Sequence, residues 1–191
     1  MKKIVRYFAM LALSVASVSC GNESRHDSTE MAEDQNEERL GDRDDDDAEF
    51  AVEAADGGLM DVKLGTLALT KASSPQVKQF AQMVVDEHTK ANNELKSLAQ
   101  QKNISLPTVM GNEHQREYDN LSEKTGSDFD KAYMDLMVKD HKEDIKEFEE
   151  QAEEGEDPEI KAWASSKVPT LQKHLQQAET IQEAVKDSKS Q

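Results

Sequence analysis

The chain has 191 residues, with 40 Asp and Glu against 23 Lys and Arg, a formal net charge of −17. Such a surplus repels phosphate backbones, which argues against a nucleic-acid partner. One cysteine rules out an internal disulfide, and with aromatics at 5% the core must be built from Leu, Ile, Val, Ala and Met.

Residues 1–19 read as an export signal. Lys2, Lys3 and Arg6 form a basic start, and the apolar run from Tyr7 to Val18 is too short for a permanent span. Ser17-Val18-Ser19-Cys20-Gly21 then places small residues before the lone cysteine, the arrangement needed for lipidation of Cys20. The expectation is a lipoprotein facing the periplasm or anchored in the outer membrane, held to the membrane through its N-terminal lipid. Residues 21–47 carry 12 acidic and 3 basic side chains and almost no bulky apolar ones. A segment of that kind cannot offset its ordering entropy by burial, so residues 20–47 are expected to be a disordered acidic tether.

From Ala48 apolar residues recur at spacings of three and four, the signature of amphipathic helices. A first helix is predicted over 47–72, with Asp47 as its cap. Ser73-Ser74-Pro75 starts a second by the rule of a capping serine followed by proline. Its stripe is Val77, Phe80, Ala81, Val84, His88, Ala91, Leu95 and Leu98. Residues 102–126 form a long connection with a short helix, Asn112 to Lys124. A third helix begins near Ser127 with the stripe Phe129, Ala132, Tyr133, Met137, His141, Ile145, Phe148 and Ala152. Asp157-Pro158-Glu159 opens a fourth, which carries Ile160, Trp163, Ala164, Leu171, His174, Ala178, Ile181 and Val185. Pro169 should kink it. Residues 187–191 are a polar tail. The expected fold is all-α, a ferritin-like four-helix bundle over 48–186, whose long connection crosses back along the bundle.

His88, His141 and His174 lie on the apolar stripes of three different helices. Unpaired burial would cost about 1–3 kcal/mol each, so they need partners. In a crossover bundle their depths agree: His88 is 13 residues after Pro75, His141 is 13 after Asp128, and His174 is 11 before Val185. Asp61, 12 residues before Ser73, sits at the same level. Three imidazoles and a carboxylate suit zinc, iron, manganese or copper. The alternative is three structural histidines hydrogen-bonded in a dry core. Asp86 and Asp140 are candidates to support the histidines from behind, while His26 and His114 lie outside the expected centre. Gly57-Gly58 reads as a place of close helix packing, and Met60, Met83, Met134 and Met137 as core fillers.

Several phrases resemble a bacterial family called domain of unknown function 4142. They are Phe50 to Gly58 with Leu64-Gly65-Thr66-Leu67-Ala68, Lys71 to Lys78, Phe80 to Asn92, Tyr133 to His141, and Val168 to Leu175. The resemblance covers about 48–184 and implies an exported ferritin-like bundle, often a lipoprotein or periplasmic protein, with no established activity. Di-iron ferritins use Glu-x-x-His, but here His88 follows Val85, His141 follows Val138 and His174 follows Leu171 by three. Ferroxidase chemistry is therefore not implied. The functional expectation is a membrane-anchored envelope protein whose bundle binds a protein partner or a metal ion. The alternative is a metal-dependent envelope enzyme or metal store, with His88, His141, His174 and Asp61 as ligands.

Overall fold

The computed structural model describes residues 27–40 and 45–187. The signal segment 1–19, Cys20, His26 and residues 188–191 lie outside the described residues. Six helices follow in chain order: α1 (Ser28–Leu40), α2 (Asp45–Lys71), α3 (Pro75–Lys102), α4 (Asn112–Ser122), α5 (Gly126–Glu154) and α6 (Pro158–Asp187). Among the described residues there is no strand, and no helix is long and apolar enough to cross a membrane.

The four long helices have 27 to 30 residues, which makes the bundle about 40–45 Å long. Three-residue turns at 72–74 and 155–157 make α2 antiparallel to α3 and α5 antiparallel to α6, the two most extensive pairings. The register between the pairs settles the topology. Asp130, near the start of α5, accepts hydrogen bonds from the backbone N–H groups of Ser73 and Ser74, both at 2.9 Å, and from the Ser73 hydroxyl. At the other end, Asp47 of α2 accepts from the N–H of Asp157 at 2.6 Å and from the Gln151 side chain. α2 therefore runs antiparallel to α5, and the 103–125 connection returns along the bundle as the expected crossover.

Both capping assignments at these ends need correction. Ser74 occupies the N-cap of α3 without a side-chain cap bond; the Asp130 carboxylate of α5 instead holds the turn before the helix through the Ser73 and Ser74 N–H groups. Asp47 lies inside α2, buried, and serves the turn between α5 and α6. Asp157 does cap its own helix, accepting from Glu159 and Ile160 N–H at 2.9 and 3.0 Å. α6 continues as hydrogen-bonded helix through Pro169. The carbonyl that proline leaves unpaired is that of Ser165, and both residues are exposed, so water can serve it and the helix need not break.

The main core joins Met60, Leu64, Val77, Phe80, Phe129, Tyr133, Met134 and Met137, and a second cluster closes the far end. There Phe50, Phe148 and Trp163 meet edge-on or tilted, with ring centroids 5.0 to 6.2 Å apart. Of the paired glycines, Gly58 is the one at a close contact. A Cβ there would collide with the Asn92 side chain, whereas one at Gly57 would meet only the Asp144 carboxylate at 3.9 Å.

Part of the expected disordered tether is helical. α1 packs on α2, with Ala32 and Asn36 buried. Its anchors are polar: Asn36 donates to Ser105 O at 3.0 Å and accepts from Ser105 N at 2.6 Å, and Arg39 donates to Asn103 O at 3.0 Å. Asp27 accepts from Asn112 N–H at 2.9 Å. Apolar counting cannot register a segment that docks through hydrogen bonds.

Candidate metal centre

Each histidine is delivered by its place on an apolar stripe. His88 of α3, His141 of α5 and His174 of α6 are all buried, the last two completely. His174 Nδ1 lies 3.3 Å from His88 Nε2 and 3.4 Å from His141 Nε2, and one nitrogen from each of the three rings falls within 4.8 Å of the others. Two nitrogens bound to one ion at about 2.0–2.1 Å, at a tetrahedral angle, sit about 3.3–3.4 Å apart. The two measured separations match that spacing, so the donor set present fits a transition-metal ion.

Two of the three outer nitrogens meet a carboxylate at bonding distance, and the third lies farther from one. His88 Nδ1 is 3.0 Å from Asp61 Oδ2, His174 Nε2 is 2.8 Å from Glu87 Oε2, and His141 Nδ1 is 3.7 Å from Asp140 Oδ2. A ring that donates its outer N–H to a carboxylate keeps a lone pair on its inner nitrogen and is held in orientation, as metal-ligating histidines usually are.

Electrostatics separate the three rings. Burial pushes His141 down to about 4, with the neighbouring His88 and His174 charges adding to it. Burial and His88 also lower His174, against the pull of Glu87. Burial would lower His88 too, but the Asp61 carboxylate outweighs it and the pKa rises. Asp61 is correspondingly held down to about 2, the His88 charge overcoming its burial. At neutral pH His141 and His174 therefore present free lone pairs, and His88 is the ring on which a proton competes with an ion.

The four residues expected at the centre are brought together, but Asp61 stands behind His88 and outside the convergent three-nitrogen set. Asp86 is exposed and accepts from Gln82 at 2.9 Å; it supports no histidine. That place belongs to Glu87, which sequence reasoning missed because it serves His174 across the bundle, not the adjacent His88. His114 pairs with Asp56 at 2.8 Å, away from the centre. A cavity of about 290 Å³ reaches the His88 ring from the surface between Gly57, Asn92, Asp144, Trp163 and Lys167.

The family model described as domain of unknown function (DUF4142) matches residues 30–181. Among solved structures, CopM in its Cu(II)-bound form is similar at 18% identity and a TM-score of 0.62, over 72% of this chain and 96% of that one. A protein described as secreted, of domain of unknown function 305 from Streptomyces coelicolor, is similar at 14% identity and a TM-score of 0.59, over 70% of this chain and 89% of that one. No curated protein matches the chain.

Proposed function

The chain belongs to the family of domain of unknown function 4142, and we propose that it is an exported protein whose bundle core holds one transition-metal ion. The ligands are Nε2 of His88, Nε2 of His141 and Nδ1 of His174. The observation that carries this reading is the convergence of three inward nitrogens, with carboxylates at the outer nitrogens of His88 and His174. Three neutral imidazoles favour copper or zinc, and copper heads the affinity order of divalent ions. The Cu(II)-bound neighbour of the same fold supports copper.

The protein's part is to bind and hold. Asp61 and Glu87 fix the rotation and tautomer of His88 and His174, and the packed rings of Phe80 and Tyr133 close one side against water. The cavity beside His88 supplies an entry path. The ion is cargo on this reading, and the bundle releases or passes it to a partner in the envelope. Lipidation at Cys20, after removal of residues 1–19, would tether the bundle to the membrane; the small residues before that cysteine support this. A metal-dependent enzyme is the second reading, favoured by the same cavity, which could admit a small substrate to the ion.

The test is metal analysis of the purified chain after loading with Cu(II) and dialysis against a weak chelator. One retained equivalent per chain, lost in both His88→Ala and His141→Ala, is the expected result. No retained copper, or copper that survives both substitutions, contradicts the proposal.

A further inference from the structure

Behind the three-imidazole face lies a second group of donors to which the proposed function gives no ligand role: Asp61, Asp140 and the Nδ1 nitrogen of His141. Asp61 of α2 and Asp140 and His141 of α5 each offer one ligand atom within 4.8 Å of the others. Asp61 and His141 are completely buried. Asp61 Oδ1, Asp140 Oδ2 and His141 Nδ1 have no hydrogen-bond partner, while Asp61 Oδ2 meets His88 Nδ1 at 3.0 Å. A fourth such buried atom is the hydroxyl of Tyr133, within the field of both Asp61 and Asp140. Orphaned buried polar atoms are rare and seldom occur together, so a group of them facing one point marks the place of an unseen partner.

We propose that Asp61, Asp140 and His141 Nδ1 form a second cation subsite, back to back with the three-imidazole centre. Two carboxylate oxygens and one imidazole make a harder set than three imidazoles, suited to Zn(II), Mn(II) or Fe(II). A water molecule could satisfy the same atoms by geometry, but it brings no charge, and His88 pairs with Asp61 alone of the two carboxylates. A divalent ion neutralises both. With this subsite alone filled, His141 carries its proton on Nε2. With both filled, the ring releases that proton to solvent and bridges the two ions as imidazolate. The subsite does not depend on the three-imidazole reading, because His174 and His88 contribute nothing to it.

The full chain is dialysed against micromolar Zn(II) at physiological salt and analysed for bound zinc, with helicity followed by circular dichroism. Two equivalents are expected for the wild type and one for Asp140→Asn, an isosteric change at a side chain 12% exposed. His174→Ala, which spares the subsite, should also keep one, and it serves in place of the asparagine variant if that one does not fold. One equivalent in the wild type, unchanged in Asp140→Asn and lost in His174→Ala, overturns the subsite and leaves the three-imidazole centre standing. Two equivalents that persist in Asp140→Asn place the second ion elsewhere and overturn it as well. No zinc at all overturns both.

Discussion

At the scale of single residues the centre depends on who stands behind each imidazole. Glu87 is partly exposed and reaches His174 at 2.8 Å, so Glu87→Gln should leave the fold intact while loosening the ring. Loss of such a supporting carboxylate typically costs about 10–100-fold in metal affinity. A competition titration against a chromogenic chelator measures it, and an unchanged affinity would remove Glu87 from the site. The pH dependence follows from His88, whose pKa is raised by Asp61 against the effect of burial. A proton and the ion compete for Nε2, so affinity is full above that raised value. It should fall by about tenfold per pH unit below it. His141, already pushed down to about 4, adds nothing to this slope near neutrality. Asp61→Asn removes the carboxylate that raises His88, so the onset should move to lower pH; an onset that stays put would contradict the pairing. The histidines were legible because they occupy apolar stripes, where a polar side chain must have a reason, and Asp61 because its depth, 12 residues before Ser73, matches theirs. Glu87 and the Asp61–His88 contact were not, since which ring a carboxylate meets is decided by helix rotation across the bundle.

At the scale of elements, the approach of α2 to α3 is set by glycines. A Cβ at Gly65 would meet Val85 Cγ2 at 2.7 Å and the backbone oxygen of Ala81 at 3.1 Å, and the backbone cannot step aside. Gly65→Ala should therefore destabilise by about 1–3 kcal/mol through overpacking, less about 1 kcal/mol regained in helix propensity. Gly57→Ala meets open contact distance and should be neutral or stabilising by up to about 1 kcal/mol. Denaturant melts of the two variants test this order, and equal effects would mean that the helices do not touch there. α4 is held by His114 against Asp56, 2.8 Å apart. Burial opposes charge on His114, but Asp56 prevails and raises its pKa. Its stabilising contribution is thus complete below the ordinary histidine pKa of about 6.5. It is lost as pH rises through the raised folded value. His114→Asn should erase that part of the pH profile of the melting midpoint; a profile identical to wild type would show the pair to be idle. Caps were the least legible feature at this scale. Ser73-Ser74-Pro75 marks the right place for a helix start, but only tertiary structure reveals that Asp130 holds the turn before it. α1 was invisible for a related reason, with Ala32 as its single buried apolar side chain.

At the scale of the whole molecule, crossover topology is what makes a three-helix site available. It sets α3 parallel to α5 and brings the middles of α3, α5 and α6 to one level, so histidines remote in sequence converge. The long 102–126 connection and the matched depths carried this information in the sequence. The sequence did not determine whether the imidazoles would meet inner edge to inner edge, which depends on rotamers. A filled site should also stabilise the bundle: at a free ion concentration of 100 Kd the gain is about 2.7 kcal/mol. For a domain of this size that is roughly a 5–10 °C rise in melting temperature. A melting temperature indifferent to copper and to zinc would mean that neither ion prefers the folded state. X-ray absorption at the copper edge of protein loaded with one equivalent reads the three-imidazole ligand set itself. Three imidazole nitrogens at about 2.0 Å are expected, with the outer-shell scattering that such rings give. A first shell made of oxygens alone, or one with a single imidazole, would contradict it.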